Sequence, residues 1–349
     1  MPATPHVSLE VKIGQMLMMG FRGLKVEADY PIAQDIQQRD IGGVVLFDYD
    51  LPTKAPRRNI EAPAQVKALI TSLQALAPIP LLVAVDQEGG QIGRLREESG
   101  FAPTVSAQYL GRMNEPALTH EQAASIAKTL SQLGINLNLA PVVDLNTNPN
   151  NPVIGHKERS FSADPNIVTN HALEFIRAHH AQGVLCTLKH FPGHGSSTHD
   201  THLSLVDVTN TWTSTELEPY ANLIRAGEVD AVMTAHVFNA NLDPEHPATL
   251  SKPTITDLLR KGLNYEGVVI SDDLQMGAIA DHYGLATAIQ ATIEAGVDMI
   301  AIANNSEYDE NIAARVIALI KQLVHAGKIS EARLDESYRR IQRLKRKLN

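Results

Sequence analysis

Short apolar runs rich in β-branched residues alternate along the chain with longer stretches whose apolar positions recur at helical spacing. That alternation is the signature of repeated β-α units building a parallel sheet. Eight such runs occur, at 15–21, 41–47, 79–85, 135–143, 184–188, 231–235, 267–271 and 299–303. No long linker, low-complexity segment or further internal repeat separates them, so the pattern predicts an α/β fold, a single (β/α)8 TIM-like barrel domain over 1–349.

The intervening stretches carry helix grammar. Thr119 and Gln122 have the spacing of a capping box, and Gly134 supplies a stop just before the fourth run. Asp164 followed by Pro165 predicts another start, after which Val168, Ala172, Phe175, Ile176 and His179 share one helical face.

Polar residues cluster where the runs end. Asp86 follows the third, Asp144 the fourth, Lys189 and His190 the fifth, His236 the sixth, Asp272 and Asp273 the seventh, and Asn304 and Asn305 the eighth. A lone strand-end Asp is as often a cap for the next helix as a functional group. Six strand ends agreeing on one rim is a stronger signal, because that rim carries the active site of this fold. His194 and His236 are open between packing of the rim and contact with a pocket, and Arg159 between a structural ion pair and a ligand contact.

The densest chemistry lies in Lys189-His190-Phe191-Pro192-Gly193-His194-Gly195, followed by Asp200-Thr201-His202. Proline and glycine predict a sharply bending connection after a strand. Asp200 and His202, two apart, allow a carboxylate to hold one imidazole nitrogen and leave the other for proton transfer. Four histidines here (His190, His194, His199, His202) also admit a zinc reading, although the spacing is not that of H-E-x-x-H and the lone Cys186 offers no thiolate pair. No metal and no cofactor are expected.

Composition narrows the classes. The formal charge of −9 argues against nucleic acid as a partner, and one cysteine forms no intrachain disulfide. Residues 1–7 lack a signal-peptide pattern, and no apolar run is long enough to span a bilayer, so no membrane insertion is expected. A cytoplasmic monomer is the expectation, with an exported form whose signal was removed as the alternative. The basic cluster Arg339, Arg340, Arg343, Lys345, Arg346 and Lys347 is read as the solvated face of a terminal helix rather than a membrane-binding one.

Strand alternation sends Asp272 and Asp273 to opposite sides, so one carboxylate faces the pocket as a nucleophile, a general base or a metal ligand. Paired with the Asp200–His202 loop, it gives a nucleophile and a movable acid/base group, which double displacement at an acetal carbon requires.

The chain resembles glycoside hydrolase family 3, in particular its single-domain β-N-acetylglucosaminidases of the NagZ type. The matching blocks are Gly14-Gln15-Met16 with Gly20-Phe21, Gly42-Gly43, Val85-Asp86-Gln87-Glu88-Gly89-Gly90, Arg159-Ser160-Phe161, Lys189 to Gly195, Asp200-Thr201-His202, Met233-Thr234-Ala235-His236 and Ser271-Asp272-Asp273-Leu274. The resemblance implies that Asp272 is the nucleophile, His202 the acid/base and Asp200 its orienting partner. It also implies that Asp86, Arg94, Arg159, Lys189 and His190 hold the sugar. The implied substrate is a small GlcNAc-containing carbohydrate, a muropeptide from cell-wall turnover or a chito-oligosaccharide. Thr201 stands where the family usually has Ser, Gln91 where a basic residue is common, and His199 where glycine is usual. The competing readings are a family 3 β-glucosidase or other exo-glycosidase, a phosphorylase, and a non-catalytic sugar-binding barrel.

Overall fold

The computed structural model describes residues 7–201 and 205–348. Eight parallel strands form one sheet: β1 (Leu17–Gly20), β2 (Gly43–Leu46), β3 (Leu82–Val85), β4 (Leu137–Asn138), β5 (Leu185–Phe191), β6 (Ala231–Thr234), β7 (Val268–Ile270) and β8 (Ile300–Ile302). Their order, β7-β6-β5-β4-β3-β2-β1-β8, follows the chain around a cylinder. It closes where Ile270 bridges Met299 in parallel and the Ser271 amide donates to the Met299 carbonyl at 2.9 Å. Apolar strand residues, buried on both faces, explain the near-continuous runs in the sequence. This is the α/β TIM-like barrel that the pattern predicts.

Differences from the pattern have local causes. The run at 135–143 yields only Leu137–Asn138, because Pro141 has no amide to donate and the ladder resumes only as a bridge from Val142 to Lys189. The fifth run extends further than its apolar stretch, so Lys189 and His190 lie within β5 rather than after it. Among the helices, α1 (Leu9–Gln15) takes the start of the first run. Pro116 begins its helix three residues before Thr119, which is buried and hydrogen-bonded to the His171 ring at 2.6 Å, so Thr119 caps nothing. Gly134 does end that helix, in the left-handed conformation. Asp164 caps Pro165–His180, whose predicted apolar face is buried throughout.

The basic C-terminal cluster is only partly a solvated face. Arg340 pairs with Asp298 at 3.2 Å and Lys347 with Asp230 at 2.8 Å, while Lys345 is buried against Gln15 at 2.7 Å. These contacts tie the terminal helix Glu331–Lys345 to the end of the barrel opposite the rim of strand C-termini. Among the described residues no helix is long and apolar enough to cross a membrane.

Candidate active site

A cavity of about 450 Å³ opens at the C-terminal ends of the strands. Its floor is apolar, built from strand residues such as Met18, Val45 and Met233 with Leu139 just after β4, and its walls carry the charged groups. That division suits a ligand with an apolar ring face and a polar periphery.

The polar wall is assembled by backbone reversal. After β3 the chain forms a short ribbon, Gln87–Gly89 against Ile92–Gly93, turned by Gly89 and Gly90, both with positive φ. The reversal returns Arg94 to Asp86, with Nη2 donating to Oδ2 at 3.2 Å. Across the barrel, the register of β5 against β6 shifts near its end, and Lys189 and His190 both line the cavity. The Lys189 ammonium donates to Asp86 Oδ1 at 2.7 Å and lies 2.8 Å from Glu88 Oε1. Arg159 forks onto Glu88 at 2.8 and 2.7 Å, and its Nη2 approaches His190 Nε2 at 3.2 Å.

Because a guanidinium only donates, His190 Nε2 must accept, which assigns the remaining ring proton to Nδ1. Nδ1 is 2.7 Å from Asp144 Oδ2, and the Asp144 carboxylate also takes the backbone amides of His190 and His194. His190 is thereby held in one orientation between the Arg159 guanidinium and the Asp144 carboxylate. Three cations (Arg94, Arg159, Lys189) thus face three carboxylates (Asp86, Glu88, Asp144) in a mostly buried chain.

Such pairing keeps the carboxylates ionised. Burial alone would push Asp86 up, but Lys189 and Arg94 hold it well below the usual carboxylate range. Burial likewise opposes Glu88, and Arg159 with Lys189 brings it down to about 2. Desolvation pushes His194 down to about 4, so it is a neutral neighbour, with Nε2 3.1 Å from Thr201 Oγ1.

Asp272 and Asp273 follow β7 and both contribute to the cavity wall. Asp273 Oδ1 accepts the Ala303 amide at 2.9 Å and the Gln275 amide at 3.2 Å, which ties that carboxylate to the backbone after β8. Asp272 Oδ1 accepts the Asp273 amide at 2.8 Å. His236 is fully buried between Thr249 and the Asp273 carbonyl, at 2.8 and 2.9 Å.

The structure therefore brings Asp86, Arg94, Arg159, Lys189, His190 and Asp272 to one cavity. Asp200 is half-buried and outside the cavity lining among the described residues, where Thr201 represents its loop. His202 lies outside the described residues. Two members of the network, Glu88 and Asp144, carry no site role in the sequence reading, although both sit in strand-end segments that it singled out. Among the described residues no cluster of three or more His, Cys, Asp or Glu side chains is arranged to hold a metal ion.

The family model described as the glycosyl hydrolase family 3 N terminal domain matches residues 8–344. Beta-hexosaminidase A of Pseudoalteromonas piscicida is 34% identical, covering 96% of this chain and 60% of its own length. Beta-hexosaminidase of Xylella fastidiosa (strain M23) is 37% identical, with 86% of each chain covered. Among solved structures, a glycoside hydrolase family 3 beta-N-acetylglucosaminidase from Paenibacillus sp. str. FPU-7 superposes with a TM-score of 0.89 at 37% identity, covering 98% of this chain and 63% of that one. Beta-N-acetylhexosaminidase from Beutenbergia cavernae DSM 12333 gives 0.86 at 32% identity, covering 98% and 99%. The chain thus spans about three fifths of the length of two of these relatives.

Proposed function

The chain belongs to glycoside hydrolase family 3, and from that premise we propose that it is a retaining exo-β-N-acetylhexosaminidase whose catalytic groups lie at the rim of this barrel. The observation that carries the proposal is the cavity itself, where a balanced charged wall stands with the Asp272 carboxylate over an apolar floor. Ionised Asp86 accepts hydrogen bonds from sugar hydroxyls, and Arg94, Arg159 and Lys189 supply charged donors. His190 adds an imidazole held in one orientation by Asp144.

In the proposed reaction Asp272 attacks the anomeric carbon as His202 gives its proton to the leaving oxygen, and a glycosyl ester forms as the glycosidic bond breaks. His202 then takes a proton from water, which displaces Asp272 and restores the β configuration. Asp200 orients the imidazole and raises its basicity. The natural substrates proposed are GlcNAc-containing muropeptides released during cell-wall recycling in the cytoplasm. Lys157, at the cavity wall, supplies a cation suited to a carboxylate on the aglycone.

The test is turnover of aryl β-N-acetylglucosaminide, β-glucoside and β-xyloside, each with and without phosphate. Preferential release from the first, with GlcNAc as product, supports the reading. Preference for the glucoside, a phosphate requirement or no turnover of any substrate would sink it in favour of a β-glucosidase, a phosphorylase or a sugar-binding barrel respectively.

A further inference from the structure

Glu216 belongs to none of the groups assigned above. It sits in the turn Ser214–Leu217 ahead of the helix Glu218–Ala226, and its side chain is buried beneath the segment 192–197 that leads from β5 to Asp200. The fit there is tight. Gly193 has φ +125°, and a Cβ on it would fall 2.5 Å from Glu216 Oε2. The same oxygen accepts the Gly195 amide at 3.1 Å. Oε1 has no hydrogen-bond partner among the described residues, and the carboxyl forms no ion pair among them.

The opposite side of the segment is clamped by fixed groups. Asn151 donates to the His194 and Gly195 carbonyls at 2.7 and 3.2 Å, Asn148 to the Ser197 carbonyl at 2.8 Å, and the Asp144 carboxylate takes the His194 amide at 2.8 Å. Beyond Ser197 the exposure changes, with Thr198 and His199 open to solvent. The root of the loop is therefore held between rigid neighbours, with the Glu216 carboxyl wedged beneath it.

We propose that Glu216 is a positioning residue: wedged beneath Gly193 and accepting the Gly195 amide, its carboxyl fixes the root of the loop carrying Asp200 and His202. The inference rests on the reading of those two residues as the proton-transfer pair. Ionisation is disfavoured in this packing because a charge there would be dehydrated and would face the Asp144 carboxylate, with the Tyr220 phenol as its other titratable neighbour. Burial, reinforced by Asp144 and opposed by the Gly195 amide, pushes the carboxyl up from 4.5 to about 7. Since the packed arrangement holds the proton more tightly, protonation contributes most to it below pH 4.5, and that contribution is lost progressively as pH rises through about 7.

Trp212 reports on this segment independently of turnover. It is the only tryptophan of the chain, and its indole donates to the Pro192 carbonyl at 3.0 Å. Emission of the wild-type protein should titrate between pH 4.5 and 7, and Glu216→Gln, which mimics the neutral carboxyl, should remove that titration. On an aryl β-N-acetylglucosaminide, Glu216→Gln should keep kcat within about threefold at pH 5 and lose the corresponding part of its pH dependence. Glu216→Ala should lower kcat about tenfold with little change in KM, as a misplaced catalytic group would. Circular dichroism identifies a variant that fails to fold, and the isosteric Gln variant then carries the test alone. A flat wild-type emission profile, or a titration that Glu216→Gln leaves unchanged, overturns the proposal, as does a kcat profile unaltered in the Gln variant. Failure of the underlying dyad shows differently, as an absence of azide rescue in His202→Ala.

Discussion

Glu88→Gln tests the buried charge chain from its least obvious member. In the native protein Glu88 accepts both arms of Arg159 and lies against Lys189, which together hold it at about 2 rather than the 4.5 of a solvated glutamate. A depressed carboxylate stabilises the fold above its unfolded pKa, and that contribution is lost as pH falls through the folded one. The difference corresponds to about 3 kcal/mol at pH 7 and about 1 kcal/mol at pH 3. The neutral amide cannot make this contribution, and it leaves Arg159 and Lys189 short of one buried counter-charge. Urea unfolding of both proteins at pH 7 and pH 3 should therefore show a gap that narrows by about 2 kcal/mol in acid. A gap of the same size at both pH values would refute the argument, since the loss would then be packing rather than charge. Catalysis adds a second readout, because an unforked Arg159 no longer fixes His190 and kcat/KM should fall by about tenfold or more.

Asp272→Asn should reduce kcat on the order of 10³-fold or more in a folded protein, because an amide cannot form the ester intermediate; Asp273→Asn should cost less, and equal losses in steady-state assays would contradict the division between the two. His202→Ala should be slowest on substrates with poor leaving groups, and azide should accelerate its turnover of a nitrophenyl substrate to give the β-glycosyl azide; an α-configured product, or no acceleration while a covalent intermediate accumulates, would count against the roles of both residues. Gly193→Ala should lower kcat and thermal stability together, because the new methyl meets the Glu216 carboxyl; Glu216→Ala in the same chain should restore part of the stability, and a double variant no more stable than Gly193→Ala would show that the clash is elsewhere.

The barrel was legible because each strand is buried on both faces, which leaves a continuous apolar run in the sequence, and because the rim is the place where such runs must end in polar residues. Where an element departs from its run, a local rule outweighs the pattern. Pro141 cut the fourth strand short, and Pro116 began a helix before the Thr119 signal could act. Neither needed the tertiary fold to be anticipated. The C-terminal basic cluster did, since Lys345 and Lys347 find their partners at Gln15 and Asp230, hundreds of residues or half a barrel away in sequence.

The site divides along the same line. Residues that project from strand ends, such as Asp86, Lys189 and Asp272, declare themselves by position alone. Residues that act on those groups do not, because their partners are set by closure of the barrel: Glu88 meets Arg159 across 71 positions, and Asp144 meets His190 across 46. Glu216 is the extreme case. In sequence its Thr-Glu-Leu-Glu-Pro context reads as an acidic helix start, a place where carboxylates are common and usually exposed. Only the fold carries the segment 192–197 over it, and only then does the glycine at 193 acquire a reason beyond the bend it makes. The loop's glycine and the distant carboxyl are two halves of one fit, so a substitution at either should be read against the other.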